Sequence, residues 1–175
     1  MTAPAGSMNL TVKYFRDMLA AATAFQTWTG EPDAAAALER IHYEGLPAPV
    51  DWVRHTKREL EDYRPFALVY IADQAGFSRS VTSTTTFNEQ GTVILHLEQT
   101  APENLGDDPS SDANVQWSNT IGGIIDGLCT LRAARAAGHS MFNRIRLMSR
   151  GWASKDQAIA QGMFQRAILA IDFEW

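Results

Sequence analysis

The sequence predicts an α+β fold: a mixed, mainly antiparallel sheet of about four to five strands that contains a β-hairpin, flanked by an N-terminal helix and one long central helix. Three observations predict it. Apolar residues recur at helical spacing from Leu10 to Phe25 and again from Trp117 to Leu131. A short run of β-formers, Phe66 to Ala72, is followed by Thr-rich segments broken by turn residues. The chain then closes on an almost strictly alternating stretch, Phe164 to Trp175.

The elements follow in order. Residues 1–8 are small and contain Pro and Gly, and are expected to be a loose lead-in to one domain spanning 9–175. Leu10, Tyr14, Met18 and Leu19, joined by Ala22 and Phe25, form one helical stripe, with Asn9 as its cap and Gly30 as its stop. A short helix is expected from Asp33 to Arg40, behind Pro32 and through four alanines, anchored by Leu38 and Ile41. Pro47 and Pro49 make 45–51 a connector, and 52–63 reads equally as an exposed helical turn or a loop.

Phe66 to Ala72 reads as a buried strand. Ser80 to Phe87 and Thr92 to Gln99 read as the arms of a hairpin, with Asn88-Glu89-Gln90-Gly91 as its turn. Residues 100–112 are polar, acidic and rich in turn formers, which makes a long surface loop. Asp112 or Ser111 then caps a helix over Ala113–Ala137, whose stripe is Trp117, Ile121, Ile124, Ile125, Leu128 and Leu131. Gly122, Gly123 and Gly127 each weaken that helix by about 1 kcal/mol relative to Ala, which calls for close packing there, the sheet being the simplest neighbour. Phe142 to Trp152 is a further strand. In the last strand Gln165, Ala167, Leu169, Ile171, Phe173 and Trp175 should face the core.

Composition narrows the function. The chain has 175 residues, 45% of them hydrophobic, and a formal net charge of -5. That acidity, with no basic run, argues against a nucleic-acid binder, since duplex affinity comes from Lys and Arg neutralising phosphates, although an acidic chain can still carry a local basic face. No segment approaches the about 18 apolar residues of a membrane helix, and no secretory leader is visible, so the expectation is a protein made and used in a reducing cytoplasm. Cys129 is the single cysteine, which excludes an internal disulfide and a multi-cysteine zinc site; its apolar neighbours predict a buried, inert thiol.

The motifs of chemistry are missing. There is no phosphate loop, no nucleophile elbow and no His-Glu-x-x-His. Ile121-Gly122-Gly123-Ile124 lies inside a helix, where packing explains it better than phosphate binding. His42, His55, His96 and His139 are scattered; His96, between Leu95 and Leu97, reads as a strand histidine sharing a face with Ile94 and Glu98. Asp107, Asp108 and Asp112 lack the ligand spacing of a calcium loop. We therefore assign no catalytic residue, metal site or cofactor from the sequence.

The aromatic residues carry more. Trp28, Trp52, Trp117, Trp152 and Trp175 do not easily share one small core, and aromatics are enriched at protein interfaces. Trp117 and Trp175 read as core; Trp28 and Trp152 read as interface candidates, together with Phe77, Arg79, Asp107 and Asp108.

The order of segments also resembles a known family. The helix Phe15-Arg16-Asp17-Met18-Leu19-Ala20-Ala21-Ala22-Thr23-Ala24-Phe25-Gln26 is followed by Arg40-Ile41-His42-Tyr43 and by Arg64-Pro65-Phe66-Ala67. A Thr-rich hairpin, the Trp117 helix and the ending Ala167-Ile168-Leu169-Ala170-Ile171-Asp172-Phe173-Glu174-Trp175 complete it. Over nearly its full length the chain is similar to the tail-terminator, or tail-completion, proteins of long-tailed bacteriophages and prophages. The segments 52–63 and 100–112 depart from that pattern as additional material.

The resemblance implies a non-enzymatic virion protein. It would form a homo-oligomeric ring, a hexamer in the family, that caps the tail tube and joins it to the head-side neck or stopper protein. It would be found in the host cytoplasm during assembly and at the top of the tail afterwards. DNA would pass through without specific binding, past an acidic or neutral lumen. The alternatives are a head–tail neck or stopper protein, a small enzyme using His96 or Cys129, and a monomeric ligand-binding domain.

Overall fold

The structure, a computed structural model, describes residues 7–43, 62–72, 76–79, 87–101, 112–134, 141–152 and 163–174. Four helices and six strands lie within these residues. The helices are α1 (Ser7–Ala21), α2 (Thr23–Thr29), α3 (Ala34–Leu38) and α4 (Asp112–Ala134). The strands are β1 (Ile41–Tyr43), β2 (Phe66–Ile71), β3 (Gly76–Arg79), β4 (Phe87–Thr100), β5 (Met141–Trp152) and β6 (Phe164–Glu174). The fold is α+β, as the sequence predicts.

The single N-terminal helix expected from Asn9 to Gly30 is two helices, and it starts at Ser7, so Asn9 is not its cap. The chain breaks at Ala22, which is extended (φ -73, ψ 118) and 1% exposed. Gln26 Nε2 donates to the Ala20 carbonyl at 2.8 Å, satisfying a group that the break frees. Packing explains the break: a Cβ placed on Gly127 of α4 would lie 3.2 Å from the Ala22 Cβ, and one on Gly123 would lie 3.4 Å from the Ala24 Cβ. These glycines therefore serve a close helix–helix crossing, not the contact with the sheet that the sequence suggests. Gly30 does stop α2, at φ 75, with Glu31 N–H returning to the Gln26 carbonyl at 3.0 Å.

Asp33 caps α3, its carboxylate accepting from Ala36 N–H at 2.9 Å. The chain then leaves the helix into β1, a strand the sequence does not announce. Being three residues long, β1 has no alternation to read.

The sheet runs β1-β2-β4-β6-β5, with β3 on β4 beyond the end of β2. β1 and β2 are parallel; every other pairing is antiparallel. The hairpin exists, but its parts are displaced. Asn88-Glu89-Gln90-Gly91, expected to turn, is extended inside β4, paired to β3 on one side (Gly76↔Gln90) and reaching β6 on the other (Gly91↔Phe173). Ladder hydrogen bonds on both sides outweigh the local turn preference. The β3–β4 connection falls in 80–86, outside the described residues.

One face of the sheet meets the helices. Ala67, Val69, Val93, Leu95, Leu97, Ala167, Leu169, Ile171 and Phe173 pack with Phe15, Met18, Leu19, Phe25, Trp117, Ile121, Ile124 and Leu128 in one core cluster. The alternation of β6 is thus used as expected, and the α4 stripe points inward. β6 also buries residues of its other set, Phe164 and Ala170, so that both of its faces are partly covered. No helix among the described residues is long and apolar enough to cross a membrane.

Candidate functional site

Strand alternation places His96 and Glu98 on the face away from the core cluster, together with Phe66, Phe164 and Arg166. Register then assembles a charged group. Glu98 stands opposite Phe66 on one side and Arg166 on the other. Arg64, two residues ahead of Phe66 and before the cis Pro65, reaches across from the start of β2.

Glu98 is fully buried, and both its oxygens are occupied. Arg64 Nε donates to Oε1 at 2.9 Å, and its Nη2 lies 2.8 Å from the same oxygen. Arg166 donates to Oε2 through Nη2 at 2.8 Å and Nε at 3.1 Å. His96 Nε2 lies 3.2 Å from Oε2; because a carboxylate only accepts, that nitrogen carries the proton. Both guanidiniums also sit over the Phe164 ring, at 4.8 and 4.7 Å from its centroid. Burial alone would raise the Glu98 carboxyl. The His96 hydrogen bond, the charge and bonds of Arg166 and the charge of Arg64 outweigh burial and hold it below its ordinary value.

The contacts of this group are all made within the chain. An ionised carboxylate with all its contacts used has no free lone pair aimed at a substrate, and His96, held by Glu98, is 9% exposed. Cys129 gives it no nucleophile: contrary to the sequence expectation it is exposed, on α4, in the layer across the sheet from His96. The misreading has a simple cause, since its neighbour Leu128 turns into the core while Cys129, one step along the helix, turns out. Among the described residues no group of three or more His, Cys, Asp or Glu side chains could hold a metal ion.

A second polar chain lies on the helix-facing side. Trp28 Nε1 donates to Gln99 Oε1 at 2.6 Å, Gln99 Nε2 to Gln165 Oε1 at 2.8 Å, and Gln165 Nε2 to Asn114 Oδ1 at 3.4 Å. Trp28 is also packed between Phe25 and Trp117, with ring centroids 5.5 and 5.9 Å away. The residue selected from the sequence as an interface aromatic is therefore half-buried and bonded inside the chain. The polar Gly30-Glu31 beside it does not show which way the indole points.

Two surface features remain. At the β1 end, α1, α3 and β1 border an open cleft of about 720 Å³ whose lining includes Arg16, Glu39, Arg40, His42, Asp62 and Tyr63. Arg40 is paired to Glu31 at 2.8 Å. Burial and the charge of Arg40 hold His42 below its ordinary value against the opposing pull of Glu39, so His42 is neutral near pH 7.

At the opposite edge, β5 pairs with β6 alone among the described residues. It carries exposed Arg144, Arg146 and Arg150, and its Leu147 and Met148 are 48% and 59% exposed, beside a register shift between Leu147 and Ser149. Arg146 contacts Asp172 at 2.9 Å, and Arg150 reaches the Ser118 hydroxyl of α4.

The other interface candidates are placed only by their backbone. Trp152 ends β5 opposite Gln165, and Phe77 and Arg79 lie in β3 opposite Glu89 and Phe87. Asp107 and Asp108 lie outside the described residues, as do Trp52 and Trp175. The exposed pair Leu147–Met148 was missed by the sequence reading; two adjacent apolar residues among arginines in an otherwise alternating strand was the available signal. No protein-family model and no curated protein matches this chain.

Proposed function

We propose that this chain is a structural assembly subunit, acting through protein–protein contacts and not through chemistry. The observation that carries this reading is the adjacent exposed pair Leu147–Met148 on β5, the edge strand of the sheet among the described residues: its arginines and register shift guard the strand against indiscriminate pairing, yet leave that apolar pair uncovered. The two residues on which an enzymatic reading would rest, His96 and Cys129, lie on different sides of the sheet and share no site.

Within that class, the particular role we propose is that of a tail terminator: a homo-oligomeric ring, hexameric by resemblance, that caps a phage tail tube and joins it to the head-side neck protein. The support is the resemblance in segment order, the α+β fold it implies, and an edge suited to a neighbouring subunit. In this role DNA passes through a ring that does not grip it, consistent with a net charge of -5.

The test is capping. Purified chain is mixed with tail tubes assembled without their own terminator and viewed by electron microscopy. Rings at one tube end, lost in a Leu147→Glu/Met148→Glu variant that still folds, are expected. A chain that never joins tubes counts against the reading, and one that binds isolated head connectors but not tubes would make it a neck protein instead.

A further inference from the structure

The two ends of the sheet differ in a way that the proposed role does not by itself require. The β5 edge bears Arg144, Arg146 and Arg150, all exposed; Arg146 pairs with Asp172, and Arg150 bonds the Ser118 hydroxyl of α4. The β1 end bears Asp33, Glu39 and Asp62, also exposed, while of its two arginines Arg40 is paired to Glu31 and Arg16 lies 3.9 Å from Asp17. Among the described residues, an acidic chain thus carries a positive excess at one edge of its sheet and a negative excess at the other.

Shape follows the same division. The basic edge exposes Leu147 and Met148 at the register shift. The acidic end is recessed: Glu39 and Asp62 line the cleft of about 720 Å³, with the apolar Leu38 and Ile41 among its walls.

From this we infer that the β5 edge of one copy docks into the β1–α3 cleft of the next copy, head to tail, with arginines of β5 facing Glu39 and Asp62 and with Met148 entering the cleft. The inference deepens the assembly reading above and rests on it. The occupant is a second copy because an exposed apolar pair flanked by arginines and a cleft lined by carboxylates occur on the same chain, at opposite edges of one sheet. Such a contact is heterologous: each subunit uses two different surfaces, so successive copies either close into a ring or continue as a filament. Two β5 edges would instead bring arginine against arginine, which like-charge repulsion disfavours.

Crosslinking decides between these geometries. In a Cys129→Ser background, Ser149→Cys and Glu39→Cys are introduced into separate chains. Each is checked for folding by circular dichroism and exposed to a short bis-maleimide at low ionic strength, with and without tail tubes. The mixture is expected to form a covalent heterodimer and the doubly substituted chain a ladder, while neither single variant dimerises efficiently. Adding Arg144→Glu and Arg150→Glu is expected to lower the heterodimer yield about tenfold, and Glu39→Arg/Asp62→Arg on chains carrying Ala36→Cys in place of Glu39→Cys to restore it.

A dominant Ser149→Cys homodimer, or no heterodimer under either condition, overturns the inference. Head-to-tail crosslinks from a chain that does not cap tubes would remove the tail assignment and leave this contact standing. Capping without crosslinks would overturn the contact and keep the assignment.

Discussion

Glu98 on β4 and Arg166 on β6 stand opposite each other in the strand register, and two nitrogens of the guanidinium bind one carboxylate oxygen, at 2.8 and 3.1 Å. With Arg64 on the other oxygen, Glu98 joins the start of β2 to the start of β6 through its own strand.

Removing that carboxylate takes from Arg64, whose side chain is wholly buried, a charged partner at 2.8 Å. Glu98→Gln is therefore expected to destabilise the fold by about 3–5 kcal/mol, read as a lower urea midpoint at unchanged slope. Arg166→Met should cost less, since its side chain is 28% exposed and Arg64 remains as a partner.

Stability should also fall in acid. Glu98 and Asp172 both titrate below their ordinary values of 4.5 and 3.8 when folded. For Asp172, burial opposes the shift, while Thr92, Arg146 and Arg144 produce it. The unfolded chain then binds more protons, so the stabilisation is complete above these ordinary values and is lost as pH drops through the folded ones. His42, lowered from 6.5 mainly by burial, acts in the same direction, with stability declining as pH falls below about 6.5. Urea midpoints measured from pH 7 to pH 3 should decrease throughout, and Glu98→Gln should flatten the lower part of that curve.

The α4 glycines give opposite expectations. A Cβ on Gly122 meets nothing within 4 Å, so Gly122→Ala should stabilise by about 0.5–1 kcal/mol through helix propensity. A Cβ on Gly127 would lie 3.2 Å from the Ala22 Cβ, so a large side chain must separate α4 from the α1–α2 junction. Gly127→Leu should cost about 1–3 kcal/mol, measured by thermal or urea unfolding.

At the β5 edge, assembly and folding should separate. Met148 is 59% exposed, so Met148→Glu should change urea stability by no more than about 0.5 kcal/mol. If the edge is an interface, the same change should abolish association with tubes or with other copies in sedimentation. Loss of stability together with association would show that Met148 is structural.

Much of the fold was legible because it follows local periodicity. The inward set of β6, the stripe of α4 and the glycine stop at Gly30 all come from repeats or backbone freedoms confined to neighbouring residues. The failures share one cause. The break at Ala22, the extended Asn88–Gly91 and the three-residue β1 are each imposed by a partner distant in sequence: α4 for the first, β3 and β6 for the second, β2 for the third.

The charged cluster shows the same limit. The sequence places His96 and Glu98 on one face, but nothing local brings Arg64 and Arg166 to the same carboxylate; strand register does that. By itself, then, the sequence determined the α+β class, the main strands and helices, and the acidic balance that argues against gripping DNA. Only the tertiary structure decided that Trp28 is bonded inward, that Cys129 faces out, and that the two sheet edges carry opposite charge. Hydrophobic periodicity is written along the chain, whereas exposure and pairing depend on which segments arrive from far away to cover or oppose each residue.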